Sequence, residues 1–278
     1  MNDWHDPQRF AAAPAYRGEP VGANPPTMLH GSELRLLKWF TRTQYRGAGA
    51  VVELGCWLGG STGVLVEGLR ANPRAEVRAQ RVQTYDAFLW HEIYDRYNLG
   101  LTHRPGESFQ ADFERHVKPW RDRVDVHGGN VTSAHWPGGS IEILFVDVMK
   151  DMATARAVAL TFFPHLVPDR SYLIHQDFKN HFEFWIHLMM YRLREHFVPV
   201  LNVADGATLV YQPVAIPARA DLESACDFNH VGEDEVDAAF DHSETIIAGS
   251  TPALHDQVVI ARARAKAVLF PAPQMTPA

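Results

Sequence analysis

The chain's apolar positions come in short, nearly unbroken runs rather than strict alternation. Five of them, at 50–54 (AVVEL), 81–85 (RVQTY), 124–127 (VDVH), 141–146 (IEILFV) and 171–175 (SYLIH), are strand-length. Runs of that kind are buried on both faces of a sheet. Between them lie connections long enough for crossovers, including the helical MATARAVALTFFPHL. After a further helical stretch (HFEFWIHLMMYRLREHF), FVPVLNV and ATLVYQP flank a tight ADG turn and read as a hairpin closing the sheet. The pattern predicts an α/β fold: a doubly wound, mostly parallel, seven-stranded sheet with a terminal antiparallel hairpin.

Other segments lie outside the repeat. Residues 1–27 are rich in Pro, Gly and Ala and read as an extended arm; Ser32 is placed to cap a helix running to about residue 45. Residues 1–45 thus form arm and helix, 46–213 the core, and 214–278 a C-terminal extension that packs on the core or on a second subunit. The 87–120 connection is aromatic, His-bearing and far longer than a minimal crossover, as expected of a lid. Within it Trp90, Tyr94 and Tyr97 are spaced to share a helix face, either as core or as a wall for a ring-shaped acceptor.

Composition narrows the function. With 33 acidic and 26 basic residues the formal charge is −7, opposite to the bias of a general nucleic-acid binder. Two cysteines lack metal-site spacing, and the N-terminus lacks the apolar stretch of a signal peptide. No run approaches a membrane span. The expectation is a soluble, cytoplasmic protein without nucleic-acid or membrane partners, in which the arm and tail would suit a homodimer.

The chemistry gathers where the strands end. At the first strand-to-helix turn stands E-L-G-C-W-L-G-G-S-T. Its glycines allow close approach to a ligand, and the helix start offers free N–H groups. The spacing departs from the G-x-G-x-x-G of dinucleotide folds, and Glu53 is ill-suited to a neighbouring pyrophosphate. Asp86, after the second strand, is placed to accept ribose hydroxyls, and Asn130 either approaches an adenine or serves only the turn.

This turn resembles motif I of class I S-adenosylmethionine-dependent methyltransferases, whose sheet is Rossmann-like. The resemblance implies that Glu53, Gly55, Cys56, Gly59, Ser61, Thr62, Asp86, Asn130 and Asp147 bind that cofactor. The exit of the fourth strand, F-V-D-x-x-K-D, resembles the catechol O-methyltransferase type, in which the first aspartate binds Mg²⁺ and the lysine is the base. That assigns Asp147 to the metal and Lys150 to proton removal. The family's Asp-Asp or Asp-Asn pair after strand five is here altered to HQD, leaving Asp177 and Gln176 as the other metal ligands. Without a metal, His175 or His181 is the best-placed base. The YDAF segment and the long aromatic insert are similar to the macrocin O-methyltransferase group, which acts on sugars of natural products. The resemblances span about residues 29–213 and imply O-methylation of a sugar or phenolic hydroxyl of a small molecule. Two rivals are a nicotinamide-dependent oxidoreductase on a related sheet and a non-catalytic relative serving as a binding module.

Overall fold

The computed structural model describes residues 13–22 and 24–271. The apolar runs form β1 (Ala50–Leu54), β2 (Val82–Asp86), β3 (Val124–Gly128), β4 (Ile141–Val146), β5 (Tyr172–His175), β6 (Phe197–Asn202) and β7 (Leu209–Pro213). They make one sheet in the order β3-β2-β1-β4-β5-β7-β6. The first five are mutually parallel, and β7 runs antiparallel to both β5 and β6. This is the doubly wound, mostly parallel seven-stranded sheet with a terminal antiparallel pair expected from the apolar runs. Chain order leaves β1 toward β2 on one side and toward β4 on the other. The switch point therefore lies at the carboxyl ends of β1 and β4, where open α/β sheets bind ligands.

Successive strand residues point to opposite faces, so each strand feeds two cores. Val52, Leu54, Leu144 and Val146 pack with α4 (Met152–Phe162), α5 (Phe184–Arg192), α7 (Glu233–Ile246) and α8 (Pro252–Leu269). Val51, Ile143 and Phe145 pack on the other face with α1 (Gly31–Trp39), α2 (Gly60–Arg70) and the insert that carries α3 (Gln110–His116). Gly68 lets α1 and α2 meet closely, since a Cβ there would lie 2.4 Å from the Lys38 carbonyl oxygen.

Three local features differ from the sequence expectation. The first helix is capped by His30 rather than Ser32, because the Glu33 carboxylate turns back to accept the His30 N–H at 2.8 Å. The helix then widens into a π-type turn over Phe40–Gln44. In the insert, Glu92–Tyr97 is a 3₁₀ turn rather than an α-helix, with Trp90 before it. Three residues per turn eclipse Tyr94 and Tyr97, so both still face one way.

The last segment, with α6 (Arg219–Ala225), α7 and α8, lies against the chain's own core. Arg192 of α5 forks onto Glu235 (Nε–Oε1 2.6 Å, Nη2–Oε2 2.9 Å) and donates to the Asp227 carbonyl at 2.7 Å. Buried Lys179 reaches Asn202 Oδ1 at 2.7 Å and Ser250 Oγ at 3.3 Å, tying the α7–α8 link to β6. Among the described residues, no helix is long and apolar enough to cross a membrane.

Candidate active site

The glycine turn is built from the strand outward. Gly55 has φ +89°, and a Cβ there would meet the Asp147 carbonyl oxygen at 2.5 Å; only glycine lets β1 leave the sheet beside β4. Trp57 also adopts positive φ (+44°), a cost for a bulky residue that the surroundings must offset. Asp86 supplies part of that: its Oδ2 accepts the N–H groups of Cys56 (3.0 Å) and Trp57 (2.9 Å), and its Oδ1 accepts that of Phe88 (2.7 Å). The carboxylate assigned to a ribose thus also staples the turn and retains acceptor capacity mainly on Oδ1. Burial raises its pKa, with the three amides pulling the other way.

Glu53 lies wholly inside the sheet. Its Oε2 accepts the hydroxyls of Thr62 (2.7 Å) and Thr84, while Oε1 is buried without a partner. Burial raises its pKa to about 7 against the pull of the Ser61, Thr84 and Thr62 hydroxyls. Glu53 thus ties β1 to β2 and to the start of α2. Ser61 and Thr62 are buried, and Gly59 (φ +94°) and Gly60 pack under Val117 and Thr27 respectively. Asn130 caps the short turn Val131–Ser133, its Oδ1 accepting the Thr132 N–H at 2.9 Å; this is the turn role of the two considered for it.

The insert closes over this edge. Its base is pinned by backbone pairing between 88–90 and 106–109 (Trp90 N to Glu107 O 2.8 Å, Phe109 N to Phe88 O 2.9 Å). The rings of Tyr94 and Tyr97 stand 5.5 and 5.3 Å from that of Trp57, and Trp90 meets Tyr94 at 5.3 Å. Burial, aided by the Asp86 and Asp147 carboxylates, pushes the Tyr94 hydroxyl up to about 12. Trp57 was not singled out from the sequence. Its indole N–H is buried and unpartnered, and a tryptophan between the two glycines of the turn was the available signal.

At the end of β4, Lys150 Nζ donates to Asp147 Oδ1 (2.9 Å) and to Asp177 Oδ2, joining the β4 and β5 exits. Glu183, unremarked in the sequence because only folding brings it near, adds a third carboxylate; it is buried and its Oε2 has no partner. Burial raises the pKa of both Asp147 and Glu183, and the Lys150 ammonium pulls each back. Desolvation works against the Lys150 ammonium, but Asp147, Asp177 and Glu183 outweigh it and hold its pKa above the ordinary value. Three carboxylates thus favour the charged form of the lysine that the resemblance assigned to proton removal. The following acid, Asp151, caps α4 by accepting the Thr154 N–H at 2.7 Å.

Neither histidine base candidate is hydrogen-bonded to this cluster. His175 is fully buried among Phe163 and Tyr211, with neither ring nitrogen partnered, and burial lowers its pKa to about 3. His181 bonds Gln257 of α8 and stacks on Phe182.

The acids were tested as a divalent-ion site. Mg²⁺ demands near-octahedral oxygen donors. Here the two carboxylates share an ammonium, Gln176 contributes no charge, and no group of three or more His, Cys, Asp or Glu side chains suited to a metal occurs among the described residues. As arranged, the donor set does not fit that ion.

No protein-family model and no curated protein sequence matches the chain. Solved structures similar to it include methyltransferases. The calicheamicin methyltransferase CalS11 is 18% identical over 74% of this chain and 90% of its own, with TM-score 0.48. An apo structure of CalS11, described as a TDP-rhamnose 3'-O-methyltransferase, is 17% identical over 74% and 92%, with TM-score 0.47. A methyltransferase from Geobacter sulfurreducens is 18% identical over 77% and 91%, with TM-score 0.40. At such identities and scores, function has to be argued from the site itself.

Proposed function

We propose that the protein is an S-adenosylmethionine-dependent O-methyltransferase acting on a small-molecule hydroxyl. The observation that carries this reading is the convergence, at the β1/β4 switch point, of a glycine turn spaced unlike the dinucleotide G-x-G-x-x-G, Asp86 and the Asp147–Lys150–Asp177 cluster. The cofactor's methionine moiety would lie along Gly55–Gly59, with its ribose toward Asp86 Oδ1. Glu53 acts from beneath the turn by fixing Thr62 and Thr84 rather than by touching an open ligand face.

The acceptor enters between this cluster and the aromatic wall of Trp57, Trp90, Tyr94 and Tyr97, which suits the flat or apolar face of a sugar or phenolic ring. Its hydroxyl proton passes to the carboxylate pair, while Lys150, which keeps its own proton, holds the oxygen as charge develops. When bound, the cofactor would supply the methyl group, its carbon–sulfur bond breaking as the acceptor oxygen bonds the carbon and a neutral thioether leaves. Most of the rate comes from alignment in a desolvated site.

Isothermal titration tests the reading directly. Binding of S-adenosylhomocysteine without a response to NADH is the expected result; NADH binding without S-adenosylhomocysteine binding would move the protein to the oxidoreductases. Silence with both would leave a fold retained as a binding module.

A further inference from the structure

We propose that the Lys150 ammonium is this site's own cation, standing where a divalent ion would otherwise bridge the β4 and β5 exits. The inference deepens the methyltransferase reading and rests on it for the consequence to turnover, but the electrostatic arrangement is a property of the fold alone.

Position supports it first. The strand-end register brings Asp147 and Asp177 to adjacent parallel strands, since Val146 pairs with His175. Lys150 lies one short turn beyond Asp147, and its Nζ lies 2.9 Å from Asp147 Oδ1 while also bonding Asp177 Oδ2. One ammonium thus spans the two carboxylates from neighbouring strands. The surrounding charge supports it next. Buried Glu183, at the start of α5, has an unpartnered Oε2 and adds a third acid around the lysine. Three acids gathered at one point favour a cation there, and the chain supplies one covalently.

The donor chemistry agrees. Gln176, between His175 and Asp177, offers a neutral oxygen, so Asp177 is the charged donor of the β5 exit. A divalent ion bridging the two exits would have to displace the ammonium from both carboxylates. A lysine is a point charge with three rotatable donors, so it can hold both acids and still turn one N–H toward an acceptor oxygen.

The test is Mn²⁺ titration of the full-length protein, followed by electron paramagnetic resonance of the free ion, with S-adenosylhomocysteine present and absent. The wild type is expected to take up no stoichiometric Mn²⁺ at concentrations up to about 1 mM, within the range of weak oxygen-ligand sites. Lys150→Met vacates the position and should bind the ion at least about tenfold more tightly, while Lys150→Arg, which retains a cation, should behave as wild type. Methyl transfer by the wild type should be unchanged in EDTA.

A stoichiometric, tight Mn²⁺ site in the wild type would overturn the proposal without any variant having to fold. Equal, weak binding by wild type and a folded Lys150→Met protein would overturn it as well. Failure of S-adenosylhomocysteine to bind would instead remove the methyltransferase reading and leave the Mn²⁺ comparison interpretable.

Discussion

Replacing Gly55 with alanine probes the geometry that joins the cofactor turn to the acid–lysine cluster. Two costs are separable. The positive φ of +89° disfavours any side chain by ~1–2 kcal/mol. The new Cβ would also sit 2.5 Å from the Asp147 carbonyl oxygen and 2.8 Å from Val148 Cγ1, roughly 1 Å inside ordinary contact. Relief requires the β4 exit to retreat, yet the Asp147 N–H donates to the Leu54 carbonyl at 2.8 Å, so retreat strains the β1–β4 junction. Gly100→Ala supplies the control, because Gly100 also has positive φ (+69°) but its Cβ would meet nothing within 4 Å. Urea unfolding should show a loss of ~1 kcal/mol for the control and ~3 kcal/mol or more for Gly55→Ala. Calorimetry should show S-adenosylhomocysteine affinity falling at least ~10-fold in Gly55→Ala alone, the change expected for about 1.4 kcal/mol. Equal stability losses in the two variants would refute the close approach of β1 to β4.

Other expectations follow from the same contacts. Asp86→Ala should weaken S-adenosylhomocysteine binding by ~1–3 kcal/mol and lower stability as well, since three backbone N–H groups lose their acceptor; urea melts and calorimetry on one sample separate the two effects. His175 and His187 are buried with pKa values near 3, below the unfolded value, so the unfolded chain binds more protons as pH falls through about 6.5. Their contribution is unaffected above that pH and declines below it, by ~2 kcal/mol each by about pH 5; His187→Gln should make the measured slope shallower. Arg192→Ala should remove the fork to Glu235 and the bond to the Asp227 carbonyl, costing ~2–4 kcal/mol and exposing the 226–232 link to limited proteolysis. A protease pattern identical to wild type would show that α7 is held by its apolar face alone.

Much of the fold was legible because burial on both faces leaves a plain signature: the strands at 50–54 and 141–146 carry almost no exposed side chain. The hairpin was legible from its turn. Helix ends were less so, since Glu33 takes the His30 N–H and displaces the cap from Ser32, a competition that composition does not disclose. The insert's aromatics read as helical by spacing, whereas the chain adopts a tighter turn over Glu92–Tyr97. Within the site, Asp147 was legible as an acid at a strand end, and Lys150 and Asp177 were picked out by the resemblance of their stretches; the structure brings the three together. Lys150's state was not legible: it depends on Asp177 and Glu183, 27 and 33 residues away in the chain. Trp57 was hidden for a similar reason, its role arising only when the insert folds back over the turn.

The most direct measurement is a crystal structure with S-adenosylhomocysteine. The account predicts its methionine moiety against Gly55–Gly59, its ribose within hydrogen-bond reach of Asp86 Oδ1, and its sulfur facing the Asp147–Lys150 pair. A phosphate-bearing ligand on that turn, or an adenosyl group bound elsewhere, would contradict it.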